Sequence, residues 1–254
     1  MSAVAIAVGT DGIVVASDGV CYEYETGDVK GYRSKVILMP EYSAFIAATG
    51  LGNFGVSLRW ALDQTVNCFD DIVDQFEDVA RRVHRDLCRR GLFHWDTGRG
   101  TEACAIIGGW SDARQKYEAW RLVSYDKESS RTDVGTGEKI DVTLKPFHKE
   151  ELPLAIWCSH LPKDMASFGV DPIPPEMATI DVLARLICAS RAASGPAVYE
   201  EDGRHFNAGG FLQLATIQRD DIRSWIAHRW QEDEIGKPID PTKGERVPSW
   251  LEAA

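Results

Sequence analysis

The stretch "MSAVAIAVGTDGIVVASDG" constrains the fold more than any other part of the chain. Residues 3–8, "AVAIAV", and 13–16, "IVVA", are apolar at nearly every position and flank "GTDG". An Asp-Gly pair between two such runs predicts a β-hairpin, Asp11-Gly12 supplying the turn. Strands apolar on both faces belong to a sheet covered on both sides. The first strand also begins next to the N-terminus, where chains fray unless something ties them down. One physical explanation is that the terminus itself is the working part.

The remaining pattern extends this picture. "SKVILMP" (34–40) and "SAFIAATG" (43–50) predict a second strand pair, and Gly50, Gly52 and Gly55 mark the turn into helical sequence. Phe69, Ile72, Val73, Phe76, Val79, Ala80, Val83 and Leu87 recur with helical period. Helices are therefore expected over about 53–66 and 69–91. Acidic residues precede "ARRVHRDLCRR" (80–90), which suits the dipole of one polarised helix. "EACAIIGGW" (102–110) and "YEAWRLVSYD" (117–126) predict another hairpin. Single strands are expected at 140–144, 154–159 and 209–218, and a helix at about 176–193, after Pro174 and Pro175. The order of strands, two helices, strands, helix and strand predicts an α+β fold with helices on both sides of largely antiparallel sheets. The last segment, 219–254, is expected to be a C-terminal extension, a short amphipathic helix followed by a tail, after one domain over 1–218.

Composition narrows the function classes. With 44% hydrophobic residues, 254 residues can bury a full core. The net charge of −11 argues against nucleic-acid or anionic-membrane partners, which need clustered Lys and Arg. No apolar run approaches the ~20 residues that cross a bilayer, and the start lacks the charged region of a secretory signal. The six cysteines are scattered without a C-x-x-C pair, which suits reduced thiols and gives no zinc pattern. His84 has no second ligand at metal spacing. A cytoplasmic protein without metal or cofactor is expected.

At this point the residues resemble a family. The start, with "VVASDG", "RSKVIL", "AATGLG", "AIIGGW…VSYD" and "NAGGFLQLATI", is similar to proteasome β-type subunits and the bacterial HslV-like and Anbu-like proteins. These are N-terminal nucleophile hydrolases, and the resemblance implies a four-layer αββα sandwich. It covers about 2–126 and 176–218 and is specific as an ordered set. Removal of Met1 would make Ser2 the first residue, with Asp18, Lys35 and Gly50 at the family's functional places. The implied roles are Ser2 as nucleophile with its own amine as base, Asp18 and Lys35 as tuning groups, and the Gly50 N–H as oxyanion donor. Amide-bond hydrolysis, of peptides first, is the implied reaction. A homo-oligomeric ring is implied too; whether an ATPase partner serves it is left open.

Each residue alone has a plainer reading. Asp18 in "SDG" is a turn former, Lys35 a strand-edge charge, Gly50 a helix-entry turn, and Ser2 a common second residue. The chain also departs from the family. Where its relatives carry an Asp, then a Ser three residues later before the Gly-Gly, this sequence has His205 and Ala208. Two rivals therefore stand beside the peptidase: a catalytically silent structural or interaction subunit, and an amidase for a small substrate.

Overall fold

The first two apolar runs pair as the Asp-Gly signal predicts. In the computed structural model, which describes residues 3–23, 26–90, 102–132, 139–152, 156–158, 166–168, 170, 179–199 and 204–252, β1 (Val4–Val8) lies antiparallel to β2 (Ile13–Asp18). Two short strands follow, β3 (Val20–Tyr22) and β4 (Val29–Tyr32), then β5 (Val36–Met39) and β6 (Ala44–Gly50). The helices are α1 (Phe54–Asp63) and α2 (Phe69–Arg89). On α2 the eight buried side chains are those of the predicted stripe, with Asp70 and Asp71 in the first turn and Arg89 in the last.

The chain continues through β7 (Ala103–Ser111), β8 (Lys116–Val123), β9 (Lys127–Thr132), β10 (Lys139–Leu144), β11 (Lys149–Glu151) and β12 (Ile156–Cys158). Helix α3 (Ile180–Ala192) starts behind Thr179, whose hydroxyl accepts the Val182 N–H. Then come β13 (Gly195–Tyr199), β14 (Arg204–Phe206), β15 (Phe211–Ile217), β16 (Ile222–Arg229) and a single helical turn, α4 (Ser249–Glu252).

Two five-stranded antiparallel sheets dominate, ordered β12-β1-β2-β15-β16 and β11-β8-β7-β6-β5. Three buried clusters define how they are covered. Phe54, Leu58 and Leu62 of α1 and Phe76 of α2 pack with Met39, Ile46, Ile107 and Leu122 of the second sheet. Leu183, Leu186 and Ile187 of α3 pack with Ala5, Ala16, Leu212 and Leu214 of the first. Ile6, Ile13 and Val15 meet Phe45, Ile106 and Val123 between the two sheets. Full burial of one such aliphatic or aromatic side chain contributes about 1.5–3 kcal/mol. The result is a mixed α+β fold on antiparallel sheets, and the apolar character of both faces of β1 and β2 follows from their position between two cores.

One expected element is different in kind. The start of the C-terminal segment is the strand β16, paired to β15, and not an amphipathic helix. Half-buried Ile222 and Ser224 alternate with exposed Arg223 and Trp225, which is a period of two. The open edge of β15 supplies the backbone partners. The expected start of the third helix at 176–178 lies outside the described residues.

Candidate active site

β2 ends at Asp18, and the pairing Val4↔Ser17 brings this end beside the start of β1. Asp18 is fully buried and four donors converge on its carboxylate. Oδ1 accepts the Ala3 N–H at 2.8 Å and Lys35 Nζ at 2.5 Å. Oδ2 accepts the Val20 N–H at 3.1 Å and the Gly209 N–H at 3.3 Å. The Asp18 N–H in turn donates to the Ala3 carbonyl at 3.1 Å. Ala3, one peptide bond from Ser2, is thus held from both of its backbone groups. Ser2 and Met1 lie outside the described residues.

Lys35 stands immediately before β5 and its side chain is 2% exposed. Burial pushes its ammonium below the usual lysine range, against the opposing pull of Asp18. Its backbone is fixed from two sides. The Lys35 carbonyl accepts the Ala48 N–H of β6 at 3.1 Å. The Gln213 amide, reaching across from β15, brackets the next residue: Oε1 accepts the Val36 N–H at 3.4 Å while Nε2 donates to the Val36 carbonyl at 3.2 Å. The same Oε1 accepts the hydroxyls of Ser34 at 2.8 Å and Ser17 at 3.4 Å.

Gly50 ends β6, two residues beyond the Ala48 that faces Lys35, so the register places it at the same end of the β5–β6 pair. Its φ of +82° is left-handed, and a Cβ there would stand 2.1 Å from the Glu102 carbonyl oxygen. Only glycine fits both conditions. Asp18 and Lys35 are therefore brought together in contact, Gly50 by strand register. Ala208 is buried; its N–H donates to Ser194 Oγ at 2.9 Å and its carbonyl accepts the same hydroxyl at 3.3 Å. His205 lies on β14.

Three further polar residues adjoin this region and were not anticipated: Gln213, Arg191 and Asp233. Arg191 carried a signal, since it falls on the stripe of Leu183 and Ile187 and a charge on a buried face requires a buried partner. That partner is Asp233, with Nη1–Oδ2 at 2.7 Å and Nη2–Oδ1 at 2.9 Å. Among the described residues no three His, Cys, Asp or Glu side chains gather as a metal site would require, and no helix is long and apolar enough to cross a membrane.

No protein-family model matches this sequence, and no curated protein matches it. The fold does have relatives of known structure. Anbu (ancestral beta-subunit) from Yersinia bercovieri superposes with a TM-score of 0.55 at 9% identity, covering 92% of this chain and 88% of that one. An Anbu (Gly-1) mutant from Hyphomicrobium sp. strain MC1 superposes with a TM-score of 0.51 at 12% identity, covering 92% and 89%. The chain thus has an Anbu-like, proteasome-like fold, and at this identity the likeness is one of architecture.

Proposed function

We propose that this chain is an N-terminal nucleophile hydrolase of four-layer αββα build that cleaves amide bonds in peptides, using Ser2 after Met1 is removed. A serine hydroxyl is a weak nucleophile until a base takes its proton. A free α-amine on the same residue has a reference pKa of about 8, close to working pH, and is held next to that hydroxyl by covalent structure. The amine accepts the hydroxyl proton as the oxygen attacks the amide carbon, then returns the proton to the departing amine. Water, activated by the same group, releases the acyl chain. A cationic Lys35 nearby disfavours protonation of the base, and Asp18 holds Lys35 in place. The Gly50 N–H stabilises the oxyanion; loss of such a donor typically costs ~10²–10³ in rate.

The observation that carries this reading is the buried Lys35–Asp18 pair whose carboxylate also grips the Ala3 N–H. Two buried charges joined to the residue after the nucleophile are a costly arrangement with an immediate catalytic use. The three clusters on and between the sheets support the layered build, and the Anbu-like fold supports assembly of several copies. A second reading, a silent structural subunit, is favoured by Ala208, which has no hydroxyl to offer the amine. The test is to confirm by intact mass that Met1 is gone, treat the protein with a peptide β-lactone or epoxyketone, and map the adduct. Modification at Ser2 is expected. Met-free protein that stays unmodified, or reacts elsewhere, selects the silent subunit.

A further inference from the structure

The Arg191–Asp233 pair is as deeply buried as the Lys35–Asp18 pair, with side chains 3% and 1% exposed. Buried ion pairs seldom add net stability over apolar residues of equal volume, so what this one touches matters. The Arg191 guanidinium stacks over Trp230, 4.7 Å from the ring centre, which fixes it from above. Asp233 Oδ2 accepts the Gly210 N–H at 2.6 Å, and the Gly210 carbonyl accepts the Trp230 N–H at 3.1 Å. Gly209 lies directly on the pair: a Cβ there would be 2.4 Å from Asp233 Oδ2 and 2.6 Å from Arg191 Nη1. Tyr32 of β4 adds a hydrogen bond from its hydroxyl to the Asp233 carbonyl.

The other side of the same turn faces the candidate site. The Gly209 N–H donates to Asp18 Oδ2 at 3.3 Å, and the Gly209 carbonyl accepts the Gly19 N–H at 3.0 Å. The 3.3 Å contact is the longest of the four on the Asp18 carboxylate, and hence the first to be lost if the turn shifts. A continuous set of contacts therefore runs from the C-terminal segment to Lys35.

We propose that Asp233 and Arg191 are positioning residues for the Asp18–Lys35 pair, acting through the Gly209–Gly210 turn. The C-terminal segment is on this view a part of the active-site framework. The catalytic consequence rests on the hydrolase reading of Ser2, whereas the structural coupling to Lys35 does not. Among the described residues, the charged and titratable groups facing Lys35 are Asp18 from β2, Cys21 from β3 and Arg33 from the approach to β5. When this Arg191–Asp233 clasp on the turn is removed, Asp18 turns away from the ammonium, and Lys35 becomes easier to deprotonate. Its charge then protects the Ser2 amine less, so the amine is protonated to higher pH.

The experiment measures Ser2 acylation by a peptide β-lactone against pH, in full-length Met-free protein, for wild type, Asp233→Asn, Asp233→Glu and Tyr32→Phe. Asp233→Asn is expected to slow acylation on the order of 100-fold, as for a catalytic group displaced by about 1 Å. Its midpoint should move up by about one pH unit, a ten-fold change in the protonation ratio. Asp233→Glu restores part of the rate, and Tyr32→Phe moves the midpoint the same way by less. A folded Asp233→Asn protein with wild-type rate and midpoint overturns the proposal. Should that variant fail to fold, Tyr32→Phe decides, and an unmoved midpoint there overturns it equally. If wild type is not acylated, the hydrolase reading fails, and the clasp is judged by the ¹⁵N titration of the Lys35 ammonium. A lower midpoint in the folded variants supports the coupling; an unchanged one ends it.

Discussion

Replacing Asp18 by Asn keeps the side chain's size but removes the charge 2.5 Å from Lys35 Nζ, and its NH2 stands where either the Ala3 N–H or the Val20 and Gly209 N–H groups now find an acceptor. Lys35 is 4% exposed, so water cannot take over the role of the carboxylate. Removing one partner of a buried pair costs about 3–5 kcal/mol, and that is the loss expected at pH 7. The pH dependence has a definite sign. Burial already lowers the Lys35 pKa in the folded state, and Asp18 is the main influence raising it, so the variant's value falls further. Between that lowered value and the unfolded one, about 10.4, the unfolded chain binds more protons than the folded chain. Stability therefore rises with pH across this window, by up to about 1.4 kcal/mol per unit for one group. The window opens at lower pH in the variant, so its deficit against wild type narrows from pH 7 to pH 9. Urea unfolding followed by tryptophan fluorescence at both pH values measures this, provided the m-values agree. A further variant, Asp18→Asn with Lys35→Met, removes both charges and should recover part of the loss. A deficit under about 1 kcal/mol at pH 7, or one that widens as pH rises, would refute the reasoning.

Two other substitutions test the surroundings of the pair. Gly50→Ala forces a Cβ to within 2.1 Å of the Glu102 carbonyl oxygen at a φ of +82°. The strain is expected to cost about 1–3 kcal/mol. Thermal unfolding should show a fall of several degrees; an unchanged Tm contradicts the turn geometry. Gln213→Leu removes the amide that brackets Val36 and leaves the Ser17 and Ser34 hydroxyls without that acceptor. A loss of about 1–3 kcal/mol in urea unfolding is expected, and a midpoint equal to wild type would show that the amide does not fix β5.

What could be read from the sequence was local. The Asp11-Gly12 hairpin declares itself in the residues that form it, and α2 by eight apolar positions at helical period. The strand β16 was hidden because Trp225 and Trp230 in a polar stretch read as an amphipathic piece until β15 is known to have an open edge. The β3–β4 pair was hidden for a related reason. It is held from outside, by the Val29 N–H on the Lys237 carbonyl and the Gly236 N–H on the Val29 carbonyl, two contacts spanning most of the chain. Asp18 and Lys35 became candidates only through their order in a family pattern, since each alone has an ordinary structural reading. Gln213 gave no signal: a glutamine in an apolar strand does not announce which backbone it will bracket. Arg191 on the inner stripe of α3 announced a partner without naming Asp233, because that pairing depends on a turn 42 residues away.

The place of β2 in its sheet has a consequence for how the molecule comes into being. It is sewn between β1, made just before it, and β15, which spans Phe211–Ile217. A nascent chain leaving the ribosome must keep one edge of this very apolar hairpin unmatched until most of the polypeptide has been synthesised. Such delayed closure slows folding and exposes a sticky edge to other chains, so biogenesis should be the step most sensitive to crowding by its own kind and to the supply of holding chaperones.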